Sequence, residues 1–251
     1  MIKKFDVEIT PFQLGRRIHI YLPDDYEQSE ERYPVIYMYD GHNLFYDSDA
    51  TYGKSWGIKD FLDNYDKKFI VVGMECNHEG SKRLDEYCPY TLSQSHLGNI
   101  QGQGVEYMEW VVNELKPYID ATYRTLSSRE NTMIAGSSMG GLMSLYSVIK
   151  HNDVFSKAAC LSSSIGLCMN EIKQEIADSQ LNVDTKIYLD WGSEEYWDKK
   201  GLAYSTARNL EISHILTQRG LNTYPCIVID GIHNEATWEK QVPVFMEYLW
   251  K

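Results

Sequence analysis

Residues 131–146 read NTMIAGSSMGGLMSLY, and a change of pattern inside them decides the fold. From Met133 to Gly136 the run is continuously apolar, as in a strand buried on both faces. From Met139 onward, Met139, Leu142, Met143, Tyr146 and Ile149 recur at spacings of three and four, the pattern of one buried helix face. Between the two lies Gly136-Ser137-Ser138-Met139-Gly140, which fits G-x-S-x-G. Glycines two residues either side of Ser138 leave room for a sharp strand-to-helix turn that lifts this serine to the rim. Ser137 lacks that symmetry. The pentapeptide alone is a weak signal in a chain with 17 glycines, but a buried strand before it and an amphipathic helix after it make it a strong one. The backbone N–H of Met139, at the start of that helix, is then the first candidate donor to a developing oxyanion.

Working outward, strand-like runs occur at FDVEIT (5–10), RRIHIYL (16–22), PVIYMYD (34–40), FIVVGMEC (69–76), KAACLSS (157–163), TKIYLDW (185–191) and YPCIVID (224–230). With residues 131–137 they make eight. Helical patterns fall between the later ones. In VEYMEWVVNELKPYI (105–119), Val105, Met108, Val112, Leu115 and Ile119 share one face, RNLEISHILTQRG (208–220) is stopped by Gly220, and WEKQVPVFMEYLWK (238–251) closes the chain with Pro243 marking a kink. Two leading strands with no helix between them, then alternation, predict an α/β fold: an antiparallel hairpin feeding an eight-stranded, mostly parallel sheet with helices on both faces. No linker divides the chain, so the expectation is one domain over 1–251. Ligands of such sheets sit beyond the carboxyl ends of the strands.

Composition narrows the partners. A net charge of −12 with no Lys/Arg cluster disfavours nucleic acid and anionic membranes. The N-terminal MIKKFDVEITPF holds no apolar segment of leader length and no run of ~18 apolar residues occurs, which predicts a cytoplasmic protein. Five cysteines without CxxC spacing fit reduced thiols. DSDATYG (47–53) imitates a calcium loop, but its glycine is displaced and Ile58 stands where the closing glutamate belongs, so no metal and no cofactor is expected. The 13% aromatic share exceeds what a core needs and leaves room for a homo-oligomer interface.

A serine hydroxyl needs a base, and in this architecture the base follows the last strand. Of seven histidines only His233 does so. The carboxylate that orients it should follow the penultimate strand, where IYLDWGSEEYWD offers Asp190, Glu194, Glu195 and Asp198. Asp190 ends the strand itself and reads as packing, Glu195 is favoured, and Glu194 and Asp198 stay open. The second oxyanion donor should come from VIYMYDGHNLF (35–45): Gly41 permits an unusual backbone there, and the N–H of His42, failing that of Gly41, is the candidate. Asp40 and Asn43 then hold the loop. The polar segment 77–103 is expected to roof the pocket, with Arg83, Glu86 and Tyr87 either touching substrate or pinning the loop. Trp56, Trp191, Trp197 and Trp238 lie near strand ends, and Gly41, Trp191 and Trp238 are the candidates for lining the substrate site.

Together YMYDGHNLF, YIDATYRT, IAGSSMGGLMSLY, DVFSKAACLSSS, YLDWGSEE and GIHNEATW resemble the esterase D-like "putative esterase" branch of the α/β hydrolases over nearly the whole chain. That branch includes S-formylglutathione hydrolases, feruloyl and acetylxylan esterases, siderophore esterases and mycolyltransferases. The resemblance implies an α/β-hydrolase fold and a serine esterase acting on a small-molecule ester, with Ser138 as nucleophile, His233 as base and Glu195 at the acid position. A glutamate stands where the family's Gly-Thr-x-Asp loop usually has aspartate, and Asp40-Gly41 replaces the His-Gly of several relatives. A thioesterase or acyltransferase would use the same trio. A binding module on the same fold would need none of it.

Overall fold

The computed structural model describes all residues, Met1–Lys251. Eight strands form one mixed, mostly parallel sheet, in which the second strand runs antiparallel to both of its neighbours. The chain divides into two compact units, Met1–Met133 and Ile134–Lys251.

In the first unit, β1 (Ile2–Ile9) and β2 (Leu14–Tyr21) make the leading hairpin, Ile2 opposite Tyr21 and Ile9 opposite Leu14. Next come β3 (Val35–Tyr39), α1 (Ile58–Asp63) and β4 (Ile70–Met74); every residue of β3 and β4 is buried, as their continuous apolar sequence requires. They pair in parallel, with Tyr39 level with Met74.

The segment 77–103 is more ordered than its polarity suggested. It holds the short helix α2 (Lys82–Glu86) and a hairpin of β5 (Leu92–Ser95) and β6 (Gly98–Ile100). The helix read at 105–119 also differs. It is α3 (Gly104–Trp110), a π-turn over Val111–Leu115 and α4 (Lys116–Thr122). A π-turn inserts one residue into the helical repeat, so Val111 is buried in place of Val112, while Val105 is 39% exposed.

The second unit continues as β7 (Thr132–Ser137), α5 (Met139–Lys150), β8 (Lys157–Leu161), α6 (Met169–Asp178), β9 (Lys186–Gly192), α7 (Lys199–Gln218), β10 (Asn222–Val228) and α8 (Glu235–Trp250). Strand order across the sheet is β1-β2-β4-β3-β7-β8-β9-β10. Helix α7 ends two residues before Gly220, whose φ of +85° suits a residue without a side chain. Pro243 lies within α8. All five cysteines are free, and no helix is long and apolar enough to cross a membrane.

Candidate active site

The Ser138 turn is strained and tightly held. Its φ of 57° and ψ of −120° are rarely adopted by a residue with a side chain. The Ser138 N–H donates to the Leu161 carbonyl at 2.9 Å, and the Ser138 carbonyl accepts from Leu142 and Ser164, each at 3.0 Å. Gly141 is required here as well: a Cβ on it would lie 2.9 Å from the Leu161 carbonyl oxygen. Ser137 is buried at the end of β7, whereas Ser138 is partly exposed. The Ser138 Oγ has Ser164 Oγ at 3.5 Å. Met139 is the first residue of α5, so its N–H has no acceptor within the helix.

The acid and base loops are brought together by backbone contact. A Cβ on Gly192 would run into the Gly231 carbonyl, so the missing side chain at Gly192 permits an approach no other residue could make there. Hydrogen bonds lock it: Ser193 N–H to Val228 O, Glu194 N–H to Gly231 O, and Asp230 N–H to Ser193 Oγ, all at 2.9 Å. Glu195 Oε2 thereby sits 3.0 Å from His233 Nδ1. Its other oxygen accepts from the Gly192 N–H and the Ser162 hydroxyl, both at 2.6 Å. The carboxylate is 3% exposed and the imidazole 43%, so the acid is fixed and the histidine's outer nitrogen is open for proton transfer. The rival acids are spent or free: Asp198 caps α7 by accepting from the Gly201 N–H at 2.7 Å, and Glu194 is exposed. His233 precedes Asn234, which caps α8 by accepting from the Thr237 N–H at 3.0 Å.

Trp238 and Trp191 do not offer faces to a substrate. Trp238 is 6% exposed; its indole N–H donates to Ser162 Oγ at 2.8 Å and its ring packs edge-on to His233 with centroids 5.2 Å apart. It holds the acid and base in place. Trp191 is 3% exposed and donates to Thr206 Oγ1 at 2.9 Å. Trp56 is buried also, and of the four tryptophans only Trp197, two residues beyond Glu195, is fully exposed.

Ser162 had no sequence signal, lying in an undifferentiated run of serines, yet it joins three groups. Beyond Glu195 and Trp238, its N–H donates to Asp190 Oδ1 at 2.9 Å. Asp190 is completely buried as sheet-end packing. Burial pushes its carboxyl up to about 7, against the lowering effect of Ser162 and Tyr188 and with the Glu195 charge adding to the rise.

In the first unit, the loop after β3 is built differently from the reading at Gly41. The left-handed residue is Asp40, with φ 56° and ψ 49°. Gly41 is needed because a Cβ would collide with the Gly73 backbone in β4. Arg83 forks the Asp40 carboxylate with two 2.7 Å bonds, Glu86 pairs with buried Arg16 and accepts from the Asn77 N–H, and the Asp40 N–H donates to Tyr87 Oη at 3.3 Å. Of the two roles open to these residues, pinning the loop is the one their contacts serve. Asn43 Oδ1 accepts from the Thr51 N–H. The DSDATYG acids are engaged by Ser55 and Lys4.

A sheet of this order carrying a strained strand-to-helix serine and a carboxylate-held histidine defines the α/β-hydrolase class. Residues 12–248 match the family described as "Putative esterase", and the chain belongs to it. It is 23% identical to the uncharacterized protein YbbA of Bacillus subtilis, over 94% of this chain and 93% of that one. It is 28% identical to Esterase Rv1288 of Mycobacterium tuberculosis over 60% of this chain, but spans only 29% of that protein. Similar solved structures include an IroE-like serine hydrolase from Shewanella oneidensis (TM-score 0.78, 18% identity, 99% and 79% of the two chains). A ferulic acid esterase is also similar (TM-score 0.71, 17% identity, 100% and 97%). At these identities they speak to the fold.

Proposed function

We propose that the protein is a serine carboxylesterase acting on a small-molecule ester. The observation that carries this reading is the 3.0 Å contact of Glu195 with His233 Nδ1 in the unit that holds Ser138 in its strained turn. With Nδ1–H donating to Glu195, the His233 Nε2 lone pair takes the Ser138 proton as Oγ bonds to the acyl carbon. The tetrahedral oxyanion draws on the Met139 N–H. Collapse expels the alcohol, which takes the proton from His233 and leaves an acyl-enzyme. Water then attacks with His233 again as base, releasing the acid and restoring Ser138.

For substrate class we favour hydroxycinnamoyl or acetylated-sugar esters. Trp197 supports this: a fully exposed indole two residues past Glu195 is suited to stack on a flat phenolic or sugar face. Among relatives, a xylanase/feruloyl esterase of Xylanibacter ruminicola is 30% identical over 57% of this chain and 19% of its own length.

The test is hydrolysis of chromogenic acyl esters of two to eight carbons, acetylated sugars and methyl ferulate, alongside a thioester panel. Turnover of one ester class, with kcat falling by about 10⁵-fold or more in folded Ser138→Ala, is the expected result. Equal activity in both proteins would end the reading. Turnover of thioesters alone would replace it with a thioesterase using the same residues.

A further inference from the structure

The side chains of a second cluster, in the first unit, take no part in the proposed chemistry. Strands β3 and β4 are parallel and paired with Tyr39 level with Met74, so the residues just beyond them emerge side by side. These include His42 from one strand end and Cys76 and His78 from the other. One ligand atom from each lies within 4.8 Å of the other two. His78 Nδ1 is 3.9 Å from Cys76 Sγ, and the two imidazole centroids are 4.7 Å apart.

The outward nitrogens of both rings are held by oxygens. His42 Nε2 pairs with Thr51 Oγ1 at 3.0 Å and His78 Nε2 with Glu75 Oε2 at 3.2 Å, while Glu75 Oε1 is fixed by His19 Nε2 at 2.7 Å. The inward Nδ1 of His42 is buried, on a residue 7% exposed, and has no hydrogen-bond partner. An outer nitrogen tied to an oxygen and an inner one aimed at a shared point is how metal-binding histidines are oriented.

We infer that His42 Nδ1, Cys76 Sγ and His78 Nδ1 form a site for a borderline-soft first-row metal ion, with Zn²⁺ the ion it suits best. One thiolate and two imidazoles favour zinc over calcium or magnesium, which take oxygen ligands. Tetrahedral zinc with Zn–N of about 2.1 Å and Zn–S of about 2.3 Å sets its donors about 3.3–3.6 Å apart, so closing the site takes movements of roughly an ångström. The ion displaces the thiol proton, forming the S–Zn bond and releasing one H⁺ to solvent. Asp40, which hydrogen-bonds Cys76, is committed to Arg83 and stays an outer partner, leaving the fourth position to water. His78 is 54% exposed and gives the ion its entry. A nucleophilic Cys–His pair is the poorer account, because Cys76 is only 5% exposed and burial pushes its thiol far up.

The experiment is equilibrium competition for Zn²⁺ between the full-length chain and a chromogenic chelator, with Co²⁺ as spectroscopic probe. One ion per chain at submicromolar affinity and a cobalt–thiolate charge-transfer band are expected. Cys76→Ser should abolish the band, Cys76→Ser and His78→Ala should each weaken binding by about a hundredfold, and Glu75→Gln by about tenfold. His78 lies at the surface, so His78→Ala carries the test if Cys76→Ser folds poorly. Absence of stoichiometric binding by the wild type, no thiolate band, or undiminished affinity in folded His78→Ala would overturn the proposal.

Discussion

Two carboxylate-held histidine groups, one in each unit, illustrate opposite uses of the same device. Around His233 every polar partner closes a circuit: Trp238 to Ser162, Ser162 to Glu195, Glu195 to His233. Around His42 and His78 the outer nitrogens are satisfied, while the inner ones converge on a thiol with one of them unpartnered. A carboxylate fixes which nitrogen is free on His233 and on His78, and the Thr51 hydroxyl does so on His42. A single imidazole with a solvent-open nitrogen is fitted to moving a proton, and two that converge on sulfur are fitted to sharing an ion.

The largest effect should come from breaking the first circuit at its acid. Glu195→Gln keeps the volume but lets the amide favour the wrong imidazole tautomer, so kcat on the ester found above should fall by about 10³–10⁴-fold with KM little changed. A loss of tenfold or less, measured on folded protein, would show that His233 does not depend on Glu195. The counterpart in the first unit, Glu75→Gln, is expected to cost only about tenfold, and in zinc affinity. That contrast is what separates orienting a base from orienting a ligand.

A smaller effect sharpens the view of the second unit's carboxylates. Asp190 titrates at about 7 in the fold, above the ordinary value of 3.8, so the folded state holds a proton that the unfolded chain releases. Its contribution to stability is therefore full below about pH 4, declines by up to about 1.4 kcal/mol per pH unit as pH rises towards 7, and is flat above that. Asp190→Asn mimics the protonated acid and should remove this slope. Denaturant midpoints of wild type and variant, compared from pH 4 to pH 8, read it directly; parallel curves would contradict the assignment.

What the sequence made legible follows from how local each signal is. The Ser138 turn is written in consecutive residues, and the eight strands each carry their own strand-like run, several of them continuously apolar. His233 was reachable because its place after the last strand is a topological fact. Glu195 is favoured by the sequence but Glu194 and Asp198 stay open there, since the contact of Gly192 with Gly231 that brings Glu195 to His233 joins positions some forty residues apart. Ser162 was invisible for the same reason. At 105–119 Met108, Leu115 and Ile119 are buried as the periodicity required, but in the π-turn at Val111–Leu115 it is Val111 and not Val112 that faces inward. The tryptophans misled because burial was judged from nearness to strand ends: Trp191 and Trp238 turn inward, and their N–H groups find Thr206 and Ser162.

The central claim is that Ser138 is a nucleophile made reactive by His233. Incubation with an activated alkyl phosphonate ester, followed by intact mass and peptide mapping, tests it without knowledge of the substrate. The account predicts one covalent adduct per chain, on the peptide carrying Ser138, absent in Ser138→Ala and formed far more slowly in His233→Ala. Labelling that persists in Ser138→Ala at the wild-type rate, or proceeds unchanged in His233→Ala, would contradict it.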